Sequence, residues 1–119
     1  MSSNLKLSYV EFPSSNIAAT KSFFEKAFGW SFIDYGPEYT SFSNQGLDGG
    51  FYKSALMSNV SNGSALLVIK SDDLDQTQSV VELAGAQIST PIFSFPGGRR
   101  FHFKEPSGNE FAVWSIEIK

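Results

Sequence analysis

Few side chains in this 119-residue chain could move a proton or hold an anion on an apolar surface, and they fall in two places. The first is Tyr9-Val10-Glu11-Phe12. As a strand, it puts Tyr9 and Glu11 on one face. A carboxylate on an aromatic-walled strand needs a partner. Two readings stay open for Glu11: a desolvated general base or hydrogen-bond anchor for a ligand, or a structural acid tied to a backbone N–H or an arginine. The second place is Arg99-Arg100-Phe101-His102-Phe103. His102 is the only histidine of the chain. Phe101 and Phe103 take the opposite face, so His102 either contacts a ligand as an acid/base group, with Glu11 as a candidate partner, or is a strand histidine between two core phenylalanines. Arg100 shares the face of His102 and could meet an anionic ligand group, while Arg99 faces solvent. Trp114 and one of Phe51 or Tyr52 are expected on the same lining, which suits a flat or greasy small molecule.

Other chemistries are closed off. The chain has no cysteine, which excludes disulfides, Cys-zinc sites and thiol catalysis. The net charge of −3 and a lone Arg99-Arg100 doublet give no footprint for nucleic acid or an anionic membrane. The first residues lack the apolar run of a signal peptide and no segment reaches the length of a membrane span, so a cytoplasmic location is expected. Nucleophile elbows, phosphate loops and His-Glu-x-x-His motifs are absent.

The elements that would position these residues repeat once. Residues 5–12 alternate like a strand. Asn16 caps a helix over Ile17 to Phe28, and Gly29 stops it. Strands are expected near 30–35, 39–43 and 50–53, separated by Gly-rich turns. After a polar connector, 57–64, the order recurs: strand 65–70, a helix from Asp73 to Ala84 stopped by Gly85, then strands 86–92, 100–104 and 110–118. The two helices are offset by about 57 residues, a weak repeat of pattern. Two βαβββ modules, about 5–56 and 64–118, make one α+β domain. Each sheet carries a helix on one face only, so pairing the modules into a cup-shaped mixed sheet, helices outermost, would enclose a pocket.

Four stretches carry a family resemblance: Tyr-Val-Glu-Phe-Pro-Ser-Ser-Asn-Ile (9–17), Phe-Phe-Glu-Lys-Ala-Phe-Gly-Trp (23–30), Ser-Asp-Asp-Leu-Asp (71–75) and Glu-Pro-Ser-Gly-Asn-Glu (105–110). In this order they resemble the vicinal oxygen chelate superfamily, which includes glyoxalase I, extradiol dioxygenases, fosfomycin-resistance proteins and bleomycin-binding proteins. The resemblance implies paired βαβββ modules, a homodimer and, in metal-dependent members, a divalent ion on the cup floor. The family's ligands, a His or Gln, a second His and a Glu, fall here on Tyr9, Leu66 and Ala112. Leucine and alanine cannot bind a cation and a lone tyrosine binds one poorly. Asp48, the one acid near an optional fourth position, sits where a turn calls for it. The chain is therefore expected to bind a small organic ligand without metal or cofactor. The lining would be Tyr9, Glu11, Phe51, Tyr52, Leu66, Arg100, His102, Ala112 and Trp114. Two alternatives stand beside this: a metal-independent lyase or isomerase acting on a carbonyl substrate through Glu11 and His102, and a domain whose function is its dimer surface.

Overall fold

Two runs of strand, helix and three strands build the molecule, a computed structural model that describes residues 4–116. The first run is β1 (Tyr9–Ser14), α1 (Ile17–Phe28), β2 (Phe32–Asp34), β3 (Tyr39–Phe42) and β4 (Asp48–Lys53). The second is β5 (Leu67–Lys70), α2 (Leu74–Leu83), β6 (Gln87–Phe95), β7 (Gly98–Lys104) and β8 (Glu110–Ile116). Each run folds into a four-stranded mixed sheet, ordered β1-β4-β3-β2 and β5-β8-β7-β6. In both, the first and last strands pair in parallel, and the helix between them makes the crossover.

Local chemistry sets the boundaries. Asn16 accepts a bond from the Ala19 N–H, and Gly29 closes α1 in the left-handed region with φ 71°. Asp73 caps α2 through the Gln76 N–H. The first strand starts later than the alternation from Leu5 suggests. Leu5 takes φ 63°, a conformation no strand allows. Leu5 and Leu7 are left 94% and 90% exposed. Asp48 accepts from the Asn44 N–H, the turn role expected of it. Residues 117 and 118, assigned above to the last strand, lie outside the described residues.

The modules share one aromatic core. Phe24 of α1 lies against Phe51 of the first sheet and Phe111 of the second. Phe12 meets Phe111, and Phe23 and Phe28 meet Phe103. All of these lie on the helix side of their sheets, and burying each ring contributes about 2–3 kcal/mol. The modules are joined through this helix-side core. The helix-free face of each sheet is thus left to carry the candidate site residues.

Candidate functional site

On the first sheet, the helix-free face presents Tyr9, Glu11, Tyr39 and Tyr52. The register aligns Glu11 with Gly50 and Tyr39 with Tyr52. The Tyr39 hydroxyl donates to Glu11 Oε2 at 2.9 Å and lies 2.5 Å from the Tyr9 hydroxyl. Desolvation, with the bonds to Tyr9 and Glu11, pushes the Tyr39 phenol well above its ordinary range. Gly50 makes room for that ring, since a Cβ there would lie 2.6 Å from Tyr39 Cζ. Glu11 is exposed, since no described residue of its own chain covers this face, and its partner is the Tyr39 hydroxyl, not a backbone N–H or an arginine. Of the pair left open in sequence, Tyr52 is on this face. Phe51 is fully buried on the other, between Phe12, Phe24 and Phe42, and does not line it.

On the second sheet the corresponding face is built from alternate residues of β5, β7 and β8. His102 stands opposite Ala112, Arg100 opposite Trp114, and Val68 opposite Ala112. Leu66 precedes β5 with the same parity and is half-buried. Phe101 and Phe103 point to the core, so His102 faces the helix-free side, 8% exposed. Its Nδ1 lies 3.1 Å from Glu110 Oε2. Ser89 donates to the same oxygen and the Val60 N–H to Glu110 Oε1, each at 3.1 Å. Burial opposes ionisation of Glu110, but the bonds from Val60, His102 and Ser89 outweigh it and hold the carboxyl below its ordinary pKa. Beside an ionised Glu110, Nδ1 is the ring nitrogen of His102 that carries a proton. Nε2 of His102 and Nε of Arg100 are buried without a hydrogen-bond partner.

The acid beside His102 is therefore Glu110 and not Glu11, which sits on the other sheet with its own partners. Sequence reasoning passed over Glu110, although its parity with Ala112 and Trp114 across a tight turn places it beside His102. Three further participants carried no signal. Ser89 and Phe93 reach this face because β6 is bulged twice, between Ile88 and Thr90 and between Thr90 and Phe93. Val60 belongs to the connector, which is no loose linker: it holds a 3-10 turn, Val60–Asn62, and straps the start of β8. Ser58 accepts from the Glu110 N–H and its own N–H donates to Asn109 Oδ1. Arg99 makes an exposed ion pair with Asp75.

The three positions the resemblance gives to metal ligands do not fit a divalent ion. A phenol, an isobutyl and a methyl group stand there, and Ala112 is wholly enclosed. No group of three or more His, Cys, Asp or Glu side chains among the described residues could hold a metal ion. A cavity of about 520 Å³ opens at the seam between the modules, lined by residues that include Val10, Trp30, Phe42, Leu67, Ile69 and Phe111 and reaching Val68 and Lys70 of the second sheet. None of the residues expected to line a site borders it. Among the described residues no helix is long and apolar enough to cross a membrane.

Known structures share this architecture. A glyoxalase-related enzyme from Fulvimarina pelagi superposes with a TM-score of 0.78 at 16% identity, over 93% of this chain and 88% of that one. A glyoxalase/bleomycin resistance protein/dioxygenase family enzyme from Burkholderia phytofirmans gives 0.77 at 18%, over 92% and 98%. The antibiotic-binding protein TnmS3 from a Streptomyces gives 0.68 at 16%, over 98% and 100%. No curated protein gives a significant sequence match. The family model for the Glyoxalase/Bleomycin resistance protein/Dioxygenase superfamily matches residues 6–113. With nearly its whole length matched, two βαβββ modules in place and their order preserved, the chain belongs to that superfamily.

Proposed function

We propose that this chain is a metal-independent binding protein for a small organic molecule, held on the helix-free face of the second sheet. The observation that carries this reading is His102. It is almost wholly buried, its Nδ1 is fixed by an ionised acid, and its Nε2 has no partner. A buried polar atom left unsatisfied costs about 1–3 kcal/mol, a cost that a ligand can relieve. Arg100, Val68 and Trp114 would form the floor and walls. The fold serves enzymes and an antibiotic-binding protein alike, so the choice of binding rests on His102 and not on the fold.

The chain acts as a homodimer in this reading. The first sheet's open face, with Tyr9, Glu11, Tyr39 and Tyr52, is covered by no described residue of its own chain. Laid over the second sheet of another copy, it would close the pocket and desolvate Glu11. A chain without cysteine accords with a cytoplasmic setting.

A thermal-shift screen of small organic compounds tests the reading. Compounds that raise the Tm should do so equally with and without a chelator, and the shift should vanish in His102→Ala and weaken in Trp114→Ala. Hits that need added metal, or that stabilise His102→Ala as well as the parent, would sink it.

A further inference from the structure

Building on the binding reading above, we infer that the ligand is a planar organic monoanion, an aromatic or conjugated carboxylate. Its carboxylate would bridge Arg100 Nε and His102 Nε2, and its ring would lie among Phe93, Phe95 and Trp114. The two nitrogens come from residues two apart on β7, so they share one face, and both are buried without a hydrogen-bond partner. A guanidinium N–H has no deprotonated alternative, so its missing partner must be an acceptor. The one acid on this face, Glu110, is already committed to Val60, His102 and Ser89.

Charge and shape agree with this choice. The helix-free face of the second sheet carries Lys70 on β5, Arg100 and Lys104 on β7, and Glu110 on β8, while β6 and the connector add no charge. The surplus is basic, and an anion corrects it. The cations stand on aromatic rings: the Arg100 Cζ is 5.2 Å from the Phe93 ring centre and 5.6 Å from that of Phe95. Lys70 Nζ lies 5.7 Å from the Trp114 ring centre. Phe95 and Trp114 lie 6.4 Å apart, and Phe93 lies 6.1 Å from the His102 ring. Such a row suits a flat conjugated ligand better than a branched aliphatic one. Since Glu110 holds the Nδ1 proton, neutral His102 offers a lone pair at Nε2. A carboxylate can be met there only by an added proton, so binding brings a proton onto His102.

Benzoate and its neutral isostere benzamide test the assignment, with the ring signals of His102, the chain's only histidine, as the reporter. Benzoate should bind roughly tenfold more tightly or better, as expected of a charge-assisted pair. It should also move the His102 nitrogens toward the doubly protonated form. Arg100→Gln should erase that preference, and Arg100→Lys should not restore it in full, because an ammonium lacks the planar fork. Equal binding of both probes, each moving the His102 signals, would overturn the anion assignment and leave the binding reading standing. So would a silent His102 with both probes at their solubility limits, if the screen above still yields His102-dependent ligands. Shifts confined to Leu67, Ile69 and Phe111 around the seam cavity would overturn both.

Discussion

Glu110 and Ala112, two residues apart on β8, give the second sheet its chemical character. Glu110 titrates below its ordinary range in the folded chain because three donors outweigh its burial. A carboxyl with a depressed folded pKa adds stability above its unfolded pKa and loses it as pH falls through the folded value. Unfolding of the parent should therefore ease as the solution is acidified below about pH 4.5, the ordinary glutamate range. Glu110→Gln should lack this limb of the curve. It should also reverse the His102 tautomer, since an amide N–H in place of Oε2 donates to Nδ1 and leaves the proton on Nε2. Urea titrations across the acid range and the His102 nitrogen shifts check the two halves. An unchanged tautomer would show that Glu110 does not set it. Ala112 makes the opposite experiment available. A glutamate there restores the family's acid but enters an enclosed site beside Glu110, and neither Tyr9 nor Leu66 completes a cation site. Ala112→Glu should lose on the order of 3 kcal/mol and gain no tight metal binding. A stable Ala112→Glu that retains zinc or manganese through dialysis would refute the misfit described above.

The β7–β8 turn does more than reverse the chain. Glu105 Oε1 accepts from the Thr20 hydroxyl at 2.9 Å and the Ser107 N–H at 2.7 Å, and Oε2 accepts from Asn109 Nδ2 at 2.6 Å. The hydroxyls of Ser14, Thr20 and Ser107 close a ring of contacts at 2.9–3.0 Å, and Asn109 also donates to the Pro13 carbonyl. Thus a turn of the second module grips the end of β1 and the start of α1 in the first. Burial raises the Glu105 pKa, and its hydrogen bonds only partly offset that. The sign is opposite to that of Glu110: this contribution favours low pH and is lost as pH rises through the raised folded value. Glu105→Gln sets an amide donor against Asn109 Nδ2 and should cost about 1–3 kcal/mol near neutral pH. Glu105→Leu also strands Thr20 and the Ser107 N–H and should cost more. Chemical denaturation orders the two, and a neutral Glu105→Leu would remove the turn from the list of module contacts. The helices and the order of elements along the chain were legible in the sequence because caps, Gly stops and alternation are local signals. Glu105 carried no such signal, because its partner Thr20 lies 85 residues away. The connector read as a linker for the same reason: its polar residues serve Glu110 and Asn109, not one another. Tyr9, Glu11 and Tyr52 could be set on one face from parity alone. Their partner Tyr39 needed the register between strands that no local pattern fixes.

At the scale of the whole molecule, the open faces are the feature left to satisfy. Tyr9 is 46%, Ile33 61% and Tyr52 37% exposed on the first sheet, and Val68 is 43% and Phe93 36% exposed on the second. β1 and β5 pair on one side only, so each also leaves a free strand edge. Contiguous apolar faces of this kind mark interaction surfaces. The two faces also differ in a complementary way, one carrying Glu11 and tyrosine hydroxyls, the other Lys70 and Arg100. A second copy of the chain fits both at once, and a twofold arrangement uses each face twice, which doubles the effect of any one change. Light scattering should accordingly give a dimer at micromolar concentration. Tyr52→Glu and Val68→Glu should each shift it to monomer without loss of helix signal, since neither side chain belongs to the core cluster. If the dimer also completes the ligand site, these monomers should bind hits from the thermal-shift screen at least about tenfold more weakly while keeping the Glu110–His102 tautomer. A parent that is monomeric at all concentrations, yet binds ligand at His102, would show that one chain's second sheet is sufficient. A dimer undisturbed by either substitution would place the interface elsewhere.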